Sequence, residues 1–295
     1  MAPSSPKIPR PRRATTRALR LALATTLLVS ACKRPTPVEE IDTHHRSSLA
    51  DLPHWKQPTE DQVELLNSAR AALLIGNTEE AFEQLGRLRA TTNISLELRD
   101  GTLLYVEMLE RRGREAEAIR VLDDFVMQIP PDGDAFFILG RMYQRAGDIA
   151  QAERALRDAT RASPELLRAW IVLADLLDST GRADEAKEIM VHYERQLFRL
   201  ANAIERGATQ EERVQAIHQL RVALPDPRIS RVLAQALRND ALDVQNAALL
   251  ALEKVGTANA LPSLDAFIAA TLNATLRDRA QEVRAIIQQR GYPPR

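Results

Sequence analysis

Residues 133–164, GDAFFILGRMYQRAGDIAQAERALRDATRASP, decide the fold. Two stretches of helical periodicity flank a Gly147-Asp148 turn, and Pro164 stops the second of them. Gly140 and Ala152 are small enough to let the two helices approach closely, while Phe136 is large enough to fill the gap toward a neighbouring unit. The pattern repeats outward. Gly113, Gly147 and Gly181 recur at a constant step of 34, each with an alanine (Ala118, Ala152, Ala186) at the same short distance after it, and Pro130 and Pro164 keep that step. A fixed period of this size predicts a stack of two-helix units, none of which buries its apolar face alone.

Position by position, the stretch resembles the tetratricopeptide repeat family. Phe136, Leu139, Gly140 and Tyr143 match the first helix, Gly147-Asp148 the turn, and Ala152, Leu156, Ala159 and Pro164 the second helix and its stop. The next unit, near residues 167–200, carries Trp170, Leu173, Ala174, Leu177, Gly181, Ala186 and Met190. The preceding one, near 99–132, keeps Gly113, Ala118, Leu122, Phe125 and Pro130, but has Thr102 in place of the aromatic. An earlier unit, near 62–90, carries Leu65, Ala69, Ala72, Gly76, Ala81 and Leu85. The step from Gly76 to Gly113 exceeds the period, so the connection TTNISLE is longer than the later ones. Four repeats are expected over residues 61–200.

The register then changes. Ala216, Ala248 and Ala280 recur at a step of 32 inside ERVQA, VQNAA and LRDRA. This resembles HEAT-like repeats, with Asp240 or Asp243 and Asn273 as turn residues; degenerate tetratricopeptide units are the alternative. The expected fold is all-α: a right-handed α-solenoid of helix-turn-helix repeats, followed by HEAT-like helical repeats over residues 201–295.

The N-terminus reads as a targeting segment. Lys7, Arg10, Arg12, Arg13, Arg17 and Arg20 precede an apolar stretch, LALATTLLVSA, too short to span a bilayer. Val29-Ser30-Ala31-Cys32 resembles the lipobox of bacterial lipoproteins, and Cys32 is the only cysteine in the chain. The resemblance implies removal of residues 1–31 and acylation of Cys32, with more than one acyl chain giving firm anchoring. Lys33, rather than an aspartate, favours the outer membrane over the inner, facing the periplasm. Residues 32–60, proline-rich and without periodicity, read as a flexible tether whose end Trp55 could dock on the first helix. His44, His45 and His54, with Asp42 and Asp51, have nothing to fix them as metal ligands. No cofactor is expected.

Processing removes six bases from a chain with 40 basic and 40 acidic residues, leaving 34 against 40. That sign is wrong for a nucleic-acid binder. No phosphate loop, nucleophile elbow or HExxH motif is present, His192 and His218 stand alone, and the acids of Asp123-Asp124 and Glu211-Glu212 diverge. A binding protein is expected rather than an enzyme.

In the tetratricopeptide family, side chains of the first helices line the ligand groove. The corresponding positions here are Leu66, Leu103-Leu104, Phe137-Ile138 and Ile171-Val172, an apolar stripe, with Arg70, Glu107, Arg141 and Asp175 alternating in sign beside it. The resemblance implies a groove for an amphipathic helix or apolar segment of a protein partner. The family's carboxylate clamp is absent, because Asn67 is the sole amide at these positions. The expected function is a lipid-anchored adaptor of the bacterial envelope, serving assembly of an envelope complex; a regulatory binder of peptidoglycan-active enzymes is the alternative. The sequence names neither the partner nor an oligomeric state.

Overall fold

The computed structural model describes residues 55–291. Among them are thirteen α-helices and no named strand. The fold class is all-α, a stack of two-helix repeats. Four pairs come first: α1 (Glu60–Leu74) with α2 (Thr78–Arg89), α3 (Leu96–Arg111) with α4 (Glu115–Val126), α5 (Gly133–Ala146) with α6 (Ile149–Ala162), and α7 (Leu167–Ser179) with α8 (Ala183–Arg206). Then follow α9 (Gln210–Arg221), α10 (Pro227–Ala236), α11 (Leu242–Val255), α12 (Leu261–Ala270) and α13 (Ala274–Arg290).

Each of the first four pairs turns on the glycine that marks the period. Gly147 ends α5 at φ 81°, a left-handed conformation that disfavours any side chain, and Gly113 and Gly181 repeat it at φ 71° and 80°. Asp148 then caps α6, its side chain accepting from Gln151 N at 3.1 Å. Within the hairpin, a Cβ at Gly140 would lie 2.8 Å from Leu156 Cγ, so only glycine permits this approach of α5 to α6.

The longer connection between α2 and α3 has a physical use. Lys56 N donates to Ile94 O at 3.0 Å, Asn93 donates to Gln57 O at 2.8 Å, and the buried Gln62 side chain donates to Thr91 Oγ1 and Asn93 O and accepts from Ser95 Oγ. Thr59 and Gln62 form a capping box at the start of α1, and Trp55 packs on the first core cluster. Residues 55–59, expected within the tether, are therefore held against the stack. Cys32, the targeting segment and His44, His45 and His54 lie outside the described residues.

The C-terminal helices keep their own period. The helices α9, α11 and α13 begin at Gln210, Leu242 and Ala274, a constant step of 32, and Ala216, Ala248 and Ala280 are buried in one cluster. Asn273 caps α13, as its residue type anticipates, whereas the cap position of α11 is Ala241, which offers no side-chain hydrogen bond. The expected boundary between residues 200 and 201 falls inside α8, which runs unbroken for 24 residues. The reason is legible in packing: Leu167, Ile171, Tyr193, Leu197, Leu200 and Ile204 share a core cluster with α9 to α13. A break there would open that core.

At this junction Tyr193 is fully buried, with the Arg228 guanidinium 4.6 Å from its ring centroid. Burial and the neighbouring Asp226 push the Tyr193 phenol up. Asp226 caps α10, its Oδ1 accepting from Arg228 N at 2.6 Å and its Oδ2 from the Arg228 guanidinium at 2.9 Å. Burial alone would raise this carboxyl, but the hydrogen bonds from Arg228 outweigh it and hold it below the ordinary value of 3.8. A depressed carboxylate gives its full stabilisation above the unfolded-state value and loses it as pH falls through the folded one. Urea titrations should therefore find Asp226→Asn less stable than the parent at pH 7, with the difference closing below about pH 4. A difference that persists unchanged at pH 2 would mean the charge is not what the pair contributes.

Candidate partner-binding surface

The first helices α1, α3, α5 and α7 carry the residues singled out for recognition, and the structure divides them in two. Leu66, Leu103 and Leu104 are buried in the core of the first three pairs, Phe137 and Val172 in the cluster between the third and fourth, and Ile171 in the C-terminal core. These six are interior packing, so the expected apolar stripe is not an open surface. Ile138 alone of that set is half-buried. The cause is the sandwiching of each first helix between its own partner and the neighbouring pair, which buries a wide arc and consumes both members of each adjacent apolar pair.

The charged positions do not face one another in alternation. Arg70 donates to Asp100 on the next first helix at 3.3 Å, and Glu107 accepts from Arg111 one turn along its own helix at 2.7 Å. Arg141 is half-buried with its Nε lacking a partner, and Asp175 is exposed. Neither makes an ion pair among the described residues. Of these four charges, Arg141 and Asp175 are the two that packing leaves unspent, with Asn67 exposed on α1.

Beneath it runs a buried ionic network. Arg99 is fully buried and donates to Asp132 from Nε at 2.5 Å, to Asp134 at 2.9 Å and to Asp100 at 3.1 Å. Arg168 reaches back from α7 to Asp134 at 2.5 Å and lies 4.7 Å over the Phe137 ring. Burial works against the Arg99 charge, but Asp132, Asp134 and Asp100 together raise its pKa above the ordinary guanidinium value, so it stays protonated. With Arg70, three bases meet three acids across α1, α3, α5 and α7. Sequence reasoning missed this network, although Asp100, Asp134 and Arg168 stand one full period apart and so occupy the same repeat position.

Among the described residues, no three His, Cys, Asp or Glu side chains gather to hold a metal ion, and no helix is long and apolar enough to cross a membrane. His192 stacks on Trp170 at 5.3 Å between ring centroids.

Residues 143–197 match the family model described as Tetratricopeptide repeat, a segment beginning near the end of α5 and taking in α6, α7 and most of α8. No curated protein matches the sequence. Among solved structures, a crystal structure of MamA is similar at 18% identity and TM-score 0.43, over 54% of this chain and 87% of that one. Another crystal structure of MamA is similar at 16% and 0.40, over 72% and 97%. The TPR2AB domain of yeast Sti1 in complex with pHSP90 is similar at 14% and 0.28, over 78% and 98%.

Proposed function

We propose that this chain is a protein-binding scaffold, held by a lipid at Cys32 to the bacterial cell envelope, whose first-helix face receives a segment of a partner protein. The observation that carries the reading is the pairing of the repeat match over residues 143–197 with two charges on that face, Arg141 and Asp175, that no ion pair consumes. Half-buried Ile138 on the same helix as Arg141 supplies apolar contact, and the buried stripe beneath fixes the helices that present them. Opposite charges on neighbouring helices set the direction of a bound segment more than its affinity. The residue pattern around Cys32 supports attachment, outer-membrane placement is favoured by Lys33, and assembly of an envelope complex is the role this arrangement serves. The constant step of α9, α11 and α13 supports a HEAT-like reading of the last helices.

The test uses the full-length chain in its envelope. Cys32→Ser should abolish palmitate incorporation and release the protein from the membrane fraction. Separately, Arg141→Glu with Asp175→Arg should reduce co-purification of the partner at least tenfold while circular dichroism is unchanged; Asp175 is exposed, and matching circular dichroism checks that half-buried Arg141 is replaced without a fold defect. Membrane retention and acylation unchanged by Cys32→Ser would remove the anchor, and undiminished partner recovery would remove the groove.

A further inference from the structure

The long helix α8 outlasts the repeat to which it belongs. The second helices α2 and α4 have 12 residues each and α6 has 14, whereas α8 has 24. Its extension buries Leu197, Leu200 and Ile204 against the C-terminal core, and on the other side leaves Phe198 73% exposed. Across from it, α10 presents half-buried Val232 and exposed Gln235, with Arg238 just beyond its end. Together the two helices enclose a cleft of about 570 Å³ whose walls include Phe198, Asn202, Arg206, Val232 and Arg238.

The cleft carries its charge differently from the junctions between repeats. Several arginines there are paired with glutamates: Arg157 with Glu153, Arg182 with Glu153 and Glu185, Arg145 with Glu110. Here Arg206 and Arg238 are exposed and make no ion pair among the described residues, and Glu205 is the one acid in the lining. Arg195 and Arg199 follow on the same face of α8, since positions 195, 198, 199, 202 and 206 share one side of a helix. An exposed aromatic ring flanked by unspent guanidiniums is complementary to an apolar side chain flanked by carboxylates. The Asn202 and Gln235 amides each donate and accept, which is what the backbone of a peptide requires.

We propose that the α8–α10 cleft is a second docking site, distinct from the first-helix face, and that it takes an acidic segment of a protein partner, seating an apolar side chain beside Phe198 and carboxylates on Arg206 and Arg238. A concave site of this size accommodates a few residues of peptide. The lining itself holds two arginines beside a glutamate, too few cations to track a nucleic-acid backbone.

The experiment pans a display library of random dodecapeptides against the full-length protein in detergent, then measures selected peptides by fluorescence anisotropy. The expected result is enrichment of peptides carrying Asp or Glu on both sides of Leu, Ile, Phe or Trp. Their affinity should fall at least tenfold in Arg206→Glu with Arg238→Glu, and likewise in Phe198→Ser. Arg87→Glu, an exposed charge change on α2, should leave it unaltered. All four substituted positions lie on the surface, and matching circular dichroism establishes that the variants fold. Failure to enrich any peptide, enrichment without acids, or equal loss in Arg87→Glu would overturn the proposal. So would binding of phosphatidylglycerol vesicles through Phe198, Arg206 and Arg238 with no acidic peptide bound. The Phe198, Arg206 and Arg238 variants leave Arg141 and Asp175 in place, so binding lost or kept in them is read separately from the first-helix face.

Discussion

Replacing Arg99 with methionine should cost about 3–5 kcal/mol of folding stability, because it strands buried carboxylates without their cation. The Arg99 guanidinium is the hub on which Asp100, Asp132 and Asp134 converge, and Asp132 has no exposure at all. Asp132 also accepts from Ala135 N at 3.0 Å, so it caps α5 while it pairs with α3. Loss of the guanidinium leaves that cap carrying an uncompensated charge inside the stack. A buried ion pair gains little over apolar packing of the same shape, so the cost falls on leaving the pair incomplete. Chemical denaturation followed by circular dichroism should thus show the single variant severely weakened. Adding Asp132→Asn and Asp134→Asn to Arg99→Met should recover a large part of the loss, as the stranded charges disappear with their partner. A single-variant cost under about 1 kcal/mol would mean that water reaches these carboxylates.

Much of this architecture is legible in the sequence, because the residues that specify it have one physical job each. Gly147 and Gly181 are needed at positive φ, Asp148 at a helix start, and Ala152 where two helices touch. Their constant spacing counts pairs without further information, and Ala216, Ala248 and Ala280 do the same at a shorter step. The direction in which apolar residues face is harder. Leu103 and Leu104 are about 100° apart on α3, and whether the second is open or covered depends on the neighbouring pair, which local sequence does not contain. The same holds for charge. Arg70 meets Asp100 and Arg99 meets Asp132, partners 30 and 33 residues away, so the pairing emerges only when the chain is wrapped on its own period. The length of α8 does have a local signal: no glycine or proline interrupts the chain between Gly181 and Gly207, so nothing stops the helix at the repeat boundary. That unbroken helix is what creates the Phe198 cleft.

Leu156→Ala should cost about 2–5 kcal/mol, and Gly140→Ala about 1–3 kcal/mol, for opposite reasons at one contact. Leu156 is fully buried, and the space a Cβ at Gly140 would need is occupied by Leu156 Cγ at 2.8 Å and Leu156 N at 3.2 Å. Truncating the leucine opens a cavity between α5 and α6, whereas adding a methyl at Gly140 forces the helices apart. The double variant should cost less than the sum by about 1 kcal/mol or more, because the new methyl enters part of the new cavity. The recovery should be incomplete, since the backbone nitrogen does not move with the side chain. Unfolding should stay a single transition in all three variants. Phe136, Ile138 and Tyr143 pack on both of the first two clusters of the repeats, and Met190 and Leu224 join the second to the C-terminal core, so a defect at Leu156 lies within one continuous interior. Strict additivity of the two costs would show that Gly140 and Leu156 do not share the contact on which the close approach of α5 and α6 depends.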